Sequence, residues 1–142
     1  MFVIEGKLLG RNERESLARS HWAKASAEKK RETELVAYLA SKLSPINEPC
    51  EVSIIYHEQV SFFKNGKRKK LRDVDNIHDG AKPILDGLVK AGIIPDDSPE
   101  WVRRVIPSVQ YVTDNPHITV AVMGYEPNRA VHFPPVEIPE RG

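Results

Sequence analysis

With 142 residues, of which 40% are hydrophobic and 29% charged, the chain has the size and make-up of one soluble globular domain, neither disordered nor fibrous. The formal net charge of +1 excludes any argument for nucleic-acid binding from overall charge, and the lone Cys50 excludes an internal disulfide. No apolar run approaches the ~20 residues of a membrane span, and Met1–Gly6 lacks the basic leader and apolar core of a signal peptide, so a cytoplasmic protein with no membrane partner is expected.

Met1–Leu8 reads as a first strand, with Phe2 and Ile4 on one face. Leu9–Arg19 is charged and reads as loop or frayed helix. His21–Leu43, rich in Ala, Glu, Lys and Leu, is a predicted long helix with Leu35, Leu39 and Leu43 on one side; Ser44-Pro45 and Glu48-Pro49 end it. Cys50–His57 reads as a strand, with Val52, Ile54 and Tyr56 alternating against Ser53, Ile55 and His57. Asn65-Gly66 marks a turn, so 58–72 is expected to be a hairpin-like or mobile basic loop. Ile77–Ala91 carries an apolar stripe of Ile77, Ala81, Ile84 and Leu88, and Gly92 follows as a helix-ending glycine. Pro83 has no N–H to donate, so the regular part of this helix should start near Gly80, with Pro83 in its first turn. Trp101–Val112 and His117–Met123 are the last predicted strands, and prolines 127, 134, 135 and 139 mark an irregular tail.

The order β-α-β-α-β-β predicts an α/β fold, a small mixed β-sheet with two main helices packed against it. One domain over 1–126 and a Pro-rich tail over 127–142 are expected.

The chemistry concentrates in one stretch. Lys64, Lys67, Arg68, Lys69, Lys70 and Arg72 place six cations in nine residues, directly before Asp73-Val74-Asp75-Asn76. Lys82, Asp86 and the pair Asp96-Asp97 follow. Carboxylates hold a hard cation and neighbouring Lys and Arg draw in a phosphate backbone, so this pattern suits a Mg²⁺-dependent enzyme acting on phosphodiesters. If the approach to the helix is extended, Asp73 and Asp75 point the same way. A metal site then needs the fold to bring Asp96-Asp97 back to them.

Blander readings compete. Lone Asp-x-Asp pairs are common on solvated surfaces. A calcium-binding EF-hand loop fits poorly, because Ile77 stands where an oxygen ligand belongs and the required Gly is absent. Sugar-nucleotide transferases use Asp-x-Asp on larger chains. His78 beside acids is more often a surface residue than a ligand, and no Cys or His spacing suggests zinc. Lys82 is either a fixed ammonium for charge developing on a phosphate or an ordinary i,i+4 partner of Asp86. Arg72 either clamps a phosphate or ends a solvated basic run. Trp22 and Trp101 are expected in core or interface packing rather than on bases.

Over Arg72–Trp101, RDVDNIHDGAKPILDGLVKAGIIPDDSPEW, the chain resembles the RusA-like Holliday-junction resolvases, small endonucleases of bacteria and their phages. An Arg, Asp-x-Asp-Asn, a Lys at the helix start, Asp-Gly-Leu and a closing Asp-Asp occur in the family's order. Asn12 and His21-Trp22 are a weaker echo. The resemblance implies a bacterial or phage-encoded homodimer acting on branched DNA, the four-way junction above all. It implies Asp73, Asp75 and Asp97 as metal-binding and catalytic carboxylates for Mg²⁺, with Mn²⁺ as a substitute. It implies Lys82 as catalytic lysine and Arg72 as a DNA contact alongside Lys67, Arg68, Lys69 and Lys70. Asn76, Asp79, Asp86 and Asp96 are candidate supporting residues. One departure is that some members carry the lysine a triplet earlier, where this chain has Asp79. Two other readings stay open: a non-catalytic branched-DNA-binding module of the same fold, and an acidic-surface interaction domain. The complete acidic set disfavours the first and the basic run the second.

Overall fold

The computed structural model describes residues 1–141. In chain order the elements are β1 (Phe2–Glu5), α1 (Arg11–Ala40), β2 (Cys50–Gln59), α2 (Val74–His78), α3 (Ala81–Lys90), β3 (Val102–Val112) and β4 (His117–Gly124). The strands form one mixed sheet in the order β1-β4-β2-β3. β4 runs antiparallel to both β1 and β2, while β2 and β3 are parallel. Parallel neighbours need a crossover. The 60–101 connection supplies it, and it carries the basic segment, the acidic pair, α2 and α3. This is the expected α/β architecture, with the second predicted helix divided in two.

Period-two alternation decides which face is buried. Val52, Ile54 and Tyr56 of β2 point into the core, where Val36 and Ala40 of α1 and Ile84 and Leu88 of α3 meet them. At the α1–α3 crossing Gly87 lies against Val36; a Cβ there would stand 2.5 Å from the Val36 side chain. The opposite sheet face carries Ser53 beside Ile106 and Ala121, and Ile55 beside Ser108 and Thr119, all half-buried.

The predicted helix over Ile77–Ala91 breaks at Asp79-Gly80. Pro83 falls in the first turn of α3, where its missing donor leaves nothing unsatisfied. Gly92 closes α3 at φ +75°, with the Ile93 amide donating to the Leu88 carbonyl at 3.0 Å.

α1 differs most from expectation. It starts at Arg11, ten residues before the predicted His21, and is broken at His21 itself (φ −150°, ψ 74°). Arg14 Nη2 lies 3.2 Å from Glu32 Oε1. Eighteen residues of straight helix would hold them roughly 27 Å apart, so the two halves fold back on each other. The Leu9 amide also donates to Glu32 Oε2 at 2.9 Å, which satisfies a carboxylate that is 1% exposed. Trp22 sits in the bend at 78% exposure, not in the core.

After Gly124 no residue among those described is in helix or strand. The tail is nonetheless tied down: Arg129 Nη1 reaches Glu51 Oε1 at 2.8 Å, and Arg104 takes the other oxygen of that fully buried carboxylate. Gly142, the last residue of the expected 127–142 tail, lies outside the described residues. Among the described residues no helix is long and apolar enough to cross a membrane.

Candidate active site

Beyond the end of β2 the chain makes a small hairpin. Phe62 bridges Arg68, the Phe63 amide donates to the Lys67 carbonyl at 2.8 Å, and Gly66 turns at φ +84°. The Asn65 side chain accepts from the Lys67 amide at 3.0 Å, a local bond that suits Asn to turns. Lys64, Lys67, Arg68, Lys69 and Lys70 are all exposed. Arg68 leans on the tail carbonyl of Pro139 at 3.5 Å, and Lys69 Nζ stands 5.4 Å above the Phe63 ring.

Arg72, the last cation, is used differently. Its Nε and Nη2 donate to the two Glu58 oxygens, each at 2.8 Å, and its Nη1 donates to Glu13 at 2.6 Å and to the Leu8 carbonyl at 3.1 Å. Its side chain is 15% exposed. Arg72 thus stitches β2, the β1–α1 loop and α1 together, and its guanidinium edges are taken by protein acceptors. Burial works against the charged forms. The Arg72 bond nevertheless holds the Glu13 carboxyl below its ordinary value, and the two glutamates raise Arg72 above its own.

Asp73 caps α2 in extended conformation without bonding to its amides, which leaves both carboxylate oxygens to the surface. It opens, with Lys70, Asn12 and Asn76, on a shallow cavity of about 250 Å³. One residue into the helix, Asp75 accepts from the Asn76 amide at 2.9 Å. Asn76 turns inward, 7% exposed, and its Oδ1 accepts from the Asn12 amide at 3.0 Å. That bond fixes the start of α1 against α2. Gly10 makes the approach possible, since a Cβ there would lie 2.2 Å from Asn76 Oδ1. Asp79 ends α2, its amide donating to the Asp75 carbonyl at 3.2 Å.

Lys82, in the first turn of α3, lies 3.0 Å from Asp86 and 3.3 Å from Asp97. Hydrogen bonds that it donates to Asp86 and then Asp97 raise its pKa, so it stays an ammonium throughout the neutral range. Asp96, next in line, is exposed and held below the usual carboxylate range by the Ser98 hydroxyl.

The fold therefore brings Asp97 to Lys82 and Asp86, and it brings Asp73 to Lys70 and Asn76. It does not bring Asp73, Asp75 and Asp97 into a ready-made trio. Among the described residues no three Asp, Glu, His or Cys side chains stand close enough to hold a metal ion. As they stand, these side chains do not fit a preassembled metal centre; an ammonium lies between Asp86 and Asp97. Four residues that sequence reasoning passed over shape the region: Gly10, Asn12 (noted only as an echo), Glu13 and Glu58. Glu58 left a signal, because it continues the core-facing series Val52, Ile54, Tyr56, and an acid on an apolar face needs a buried partner.

The crossover of the small mixed sheet thus carries an exposed basic hairpin that runs directly into an exposed acidic pair. Residues 12–123 match the family described as Endodeoxyribonuclease RusA, and the chain belongs to that family. Membership implies a nuclease acting on DNA, and nucleases of this family are generally divalent-metal dependent. No curated protein matches the chain.

Proposed function

We propose that this protein is a Mg²⁺-dependent, structure-selective endonuclease that resolves four-way DNA junctions by paired phosphodiester hydrolysis. The observation that carries the reading is the cavity lined by Lys70, Asp73 and Asn76, where the end of the basic segment and the first acid of the pair share one surface. Asp73, Asp75 and Asp97 would hold the ion, with Mn²⁺ as a substitute, once Asp97 leaves Lys82 and moves to the acidic pair. A divalent ion supplies Lewis-acid stabilisation and a water nucleophile at neutral pH.

The chain's own groups do the rest. Exposed Lys67, Arg68, Lys69 and Lys70 hold the backbone electrostatically. Lys82 offers a fixed positive charge to the scissile phosphate, and a phosphate oxygen at its Nζ takes the place that Asp97 occupies now. Asn76 and Arg72 keep α1, α2 and β2 in register, so the acidic pair is presented on a rigid base. The reading puts the protein in the bacterial cytoplasm, encoded by the bacterium or a phage, and the buried free Cys50 suits that reducing compartment.

A synthetic four-way junction should be cut with Mg²⁺ and left intact with EDTA. Cutting that ignores EDTA, or no cutting with Mg²⁺ or Mn²⁺, would overturn the proposal. A junction that is bound but never cut would favour the non-catalytic binding module.

Two further outcomes are expected. Replacing Lys67, Arg68, Lys69 and Lys70 together by Ala should weaken binding to all DNA sequences alike and flatten the salt dependence by up to roughly 0.9 in slope per lost phosphate contact. A salt titration of junction binding checks this. Paired cuts on a two-fold substrate also call for a C₂ dimer. The helix-free sheet face, with Ile55, Ile106 and Ala121, is the self-complementary surface we assign to it. Sedimentation at micromolar concentration should show twice the monomer mass, and an active monomer would remove this element.

A further inference from the structure

Trp22 is the most exposed aromatic side chain among the described residues. The bend at His21 puts it at the outer end of the folded-back α1, 78% exposed, and all of residues 18–24 are exposed around it. Nothing in the core uses it. An indole held in water forgoes the burial that favours Trp elsewhere, so a partner of matching chemistry is the physical question.

Three observations identify the partner. The first is charge. From Ser16 to Ala27 the chain carries Arg19 and Lys24 and not one carboxylate, although it has 20 Asp and Glu in all. An exposed aromatic with cations and no acids on either side suits a nucleic acid: the ring offers a stacking face and the cations meet phosphate. The same charge disfavours a second copy, because a two-fold contact at the tip would bring like charges together.

The second is continuity with the candidate active site. Asn12 borders the Asp73 cavity and also a second, open one of about 470 Å³ that runs along α1 past Ser16 and Ser20. Asn12, Ser16 and Ser20 are spaced four apart, one stripe of a helix. These three side chains are small, polar and uncharged, the kind that contact sugar and phosphate; Glu13, which also lines this cavity, has its charge taken by Arg72 and Lys7.

The third is distance. From Asn12 to Ser20 the helix rises roughly 12 Å, and stacked nucleotides advance 3.4 Å along a strand. The stripe therefore spans about three to four stacked nucleotides, and Trp22 follows it across the break at His21.

We infer that Trp22 stacks on a nucleobase left without a stacking neighbour at the branch point, with the Asn12–Ser16–Ser20 stripe guiding that strand to Asp73. The inference rests on the junction-nuclease reading and adds a specificity residue to it. Bases inside a duplex are covered on both faces and give the indole nothing to stack on. Trp22 thus separates branched from plain DNA, whereas the basic hairpin binds both.

The test is binding in EDTA by the full chain, to a four-way junction and to a duplex of the same sequence. Trp22→Ala should loosen junction binding by roughly 5- to 150-fold, the usual worth of one base–aromatic stack, and leave duplex binding unchanged. Trp22→Phe should fall between the two. Tryptophan emission of the wild type should be quenched by the junction, and in Trp22→Phe, which keeps only Trp101, that quenching should be lost. Circular dichroism of the variants should match the wild type, since the side chain is exposed. Equal junction affinity in Trp22→Ala, or emission that ignores the junction, overturns the inference and leaves the nuclease reading standing. A Trp22→Ala protein that sediments at half the wild-type mass identifies the indole as a contact between copies and overturns it too. A wild type that binds no junction removes both readings at once.

Discussion

Asp75→Asn should lower junction cleavage by roughly 10³-fold or more, the scale seen when one member of a catalytic unit is removed, and leave junction binding intact or tighter. The substitution nearly preserves shape. The oxygen that accepts the Asn76 amide at 2.9 Å can be kept as an amide oxygen, so α2 should hold its place. What is lost is a negative charge at the surface where a phosphate arrives, which relieves repulsion in the bound state. Single-turnover cleavage and equilibrium binding, measured on one preparation, separate the two effects. Cleavage near the wild-type rate would show that Asp75 does no chemistry. Binding lost along with cleavage would show that its role is structural. Asp73→Asn should behave the same way, because its carboxylate makes no capping bond that the amide would disturb.

Much of this region was legible in the sequence, for physical reasons. The apolar stripe of α3 follows the helical period, so its buried side could be read from Ile84 and Leu88. Pro83 and Gly92 marked its ends through backbone chemistry that does not depend on context. The alternation in β2 gave its core face. What stayed hidden depends on contacts far apart in the chain. Nothing local announces that helix starts at Arg11; the break at His21 becomes favourable because Arg14 and the Leu9 amide both reach Glu32. Trp22 is expected in core or interface packing, and the position of that bend excludes the core. The acidic residues were recognisable as a set, but their grouping was not: Asp97 meets Lys82 across the loop after α3, and Asp73 lines a cavity with Lys70. Arg72 read as the last of six cations. Its partners Glu13 and Glu58 lie 59 and 14 residues away, and only the sheet and α1 bring them together.

Arg72→Ala is expected to destabilise the protein by about 3–5 kcal/mol, the cost of breaking a buried ion pair from one side, or roughly 10–17 °C in Tm for a chain of this size. Glu58 is only 8% exposed and would keep a charge with no partner. An inactive Arg72→Ala protein would therefore say nothing about DNA contact unless its stability were measured first. The informative variant replaces both Arg72 and Glu58 by Met. Apolar side chains of similar volume remove the stranded charge, and most of the lost stability should return; Glu13 keeps its neighbour Lys7 at 3.5 Å. If Arg72 is a brace, junction binding returns with stability. If it holds a phosphate, the double variant is stable and still binds poorly. Acid provides a second check. Although burial opposes it, the Arg72 bond holds the Glu13 carboxyl below its ordinary value of 4.5, so its contribution is complete above pH 4.5 and lost as pH falls through the lowered folded-state value. Urea unfolding at pH 6 and pH 3.5 should show a smaller loss on acidification in the Arg72 variants than in the wild type. An Arg72→Ala protein with unchanged Tm would show that the guanidinium contributes no net support to the fold and would return Arg72 to the DNA-contacting residues.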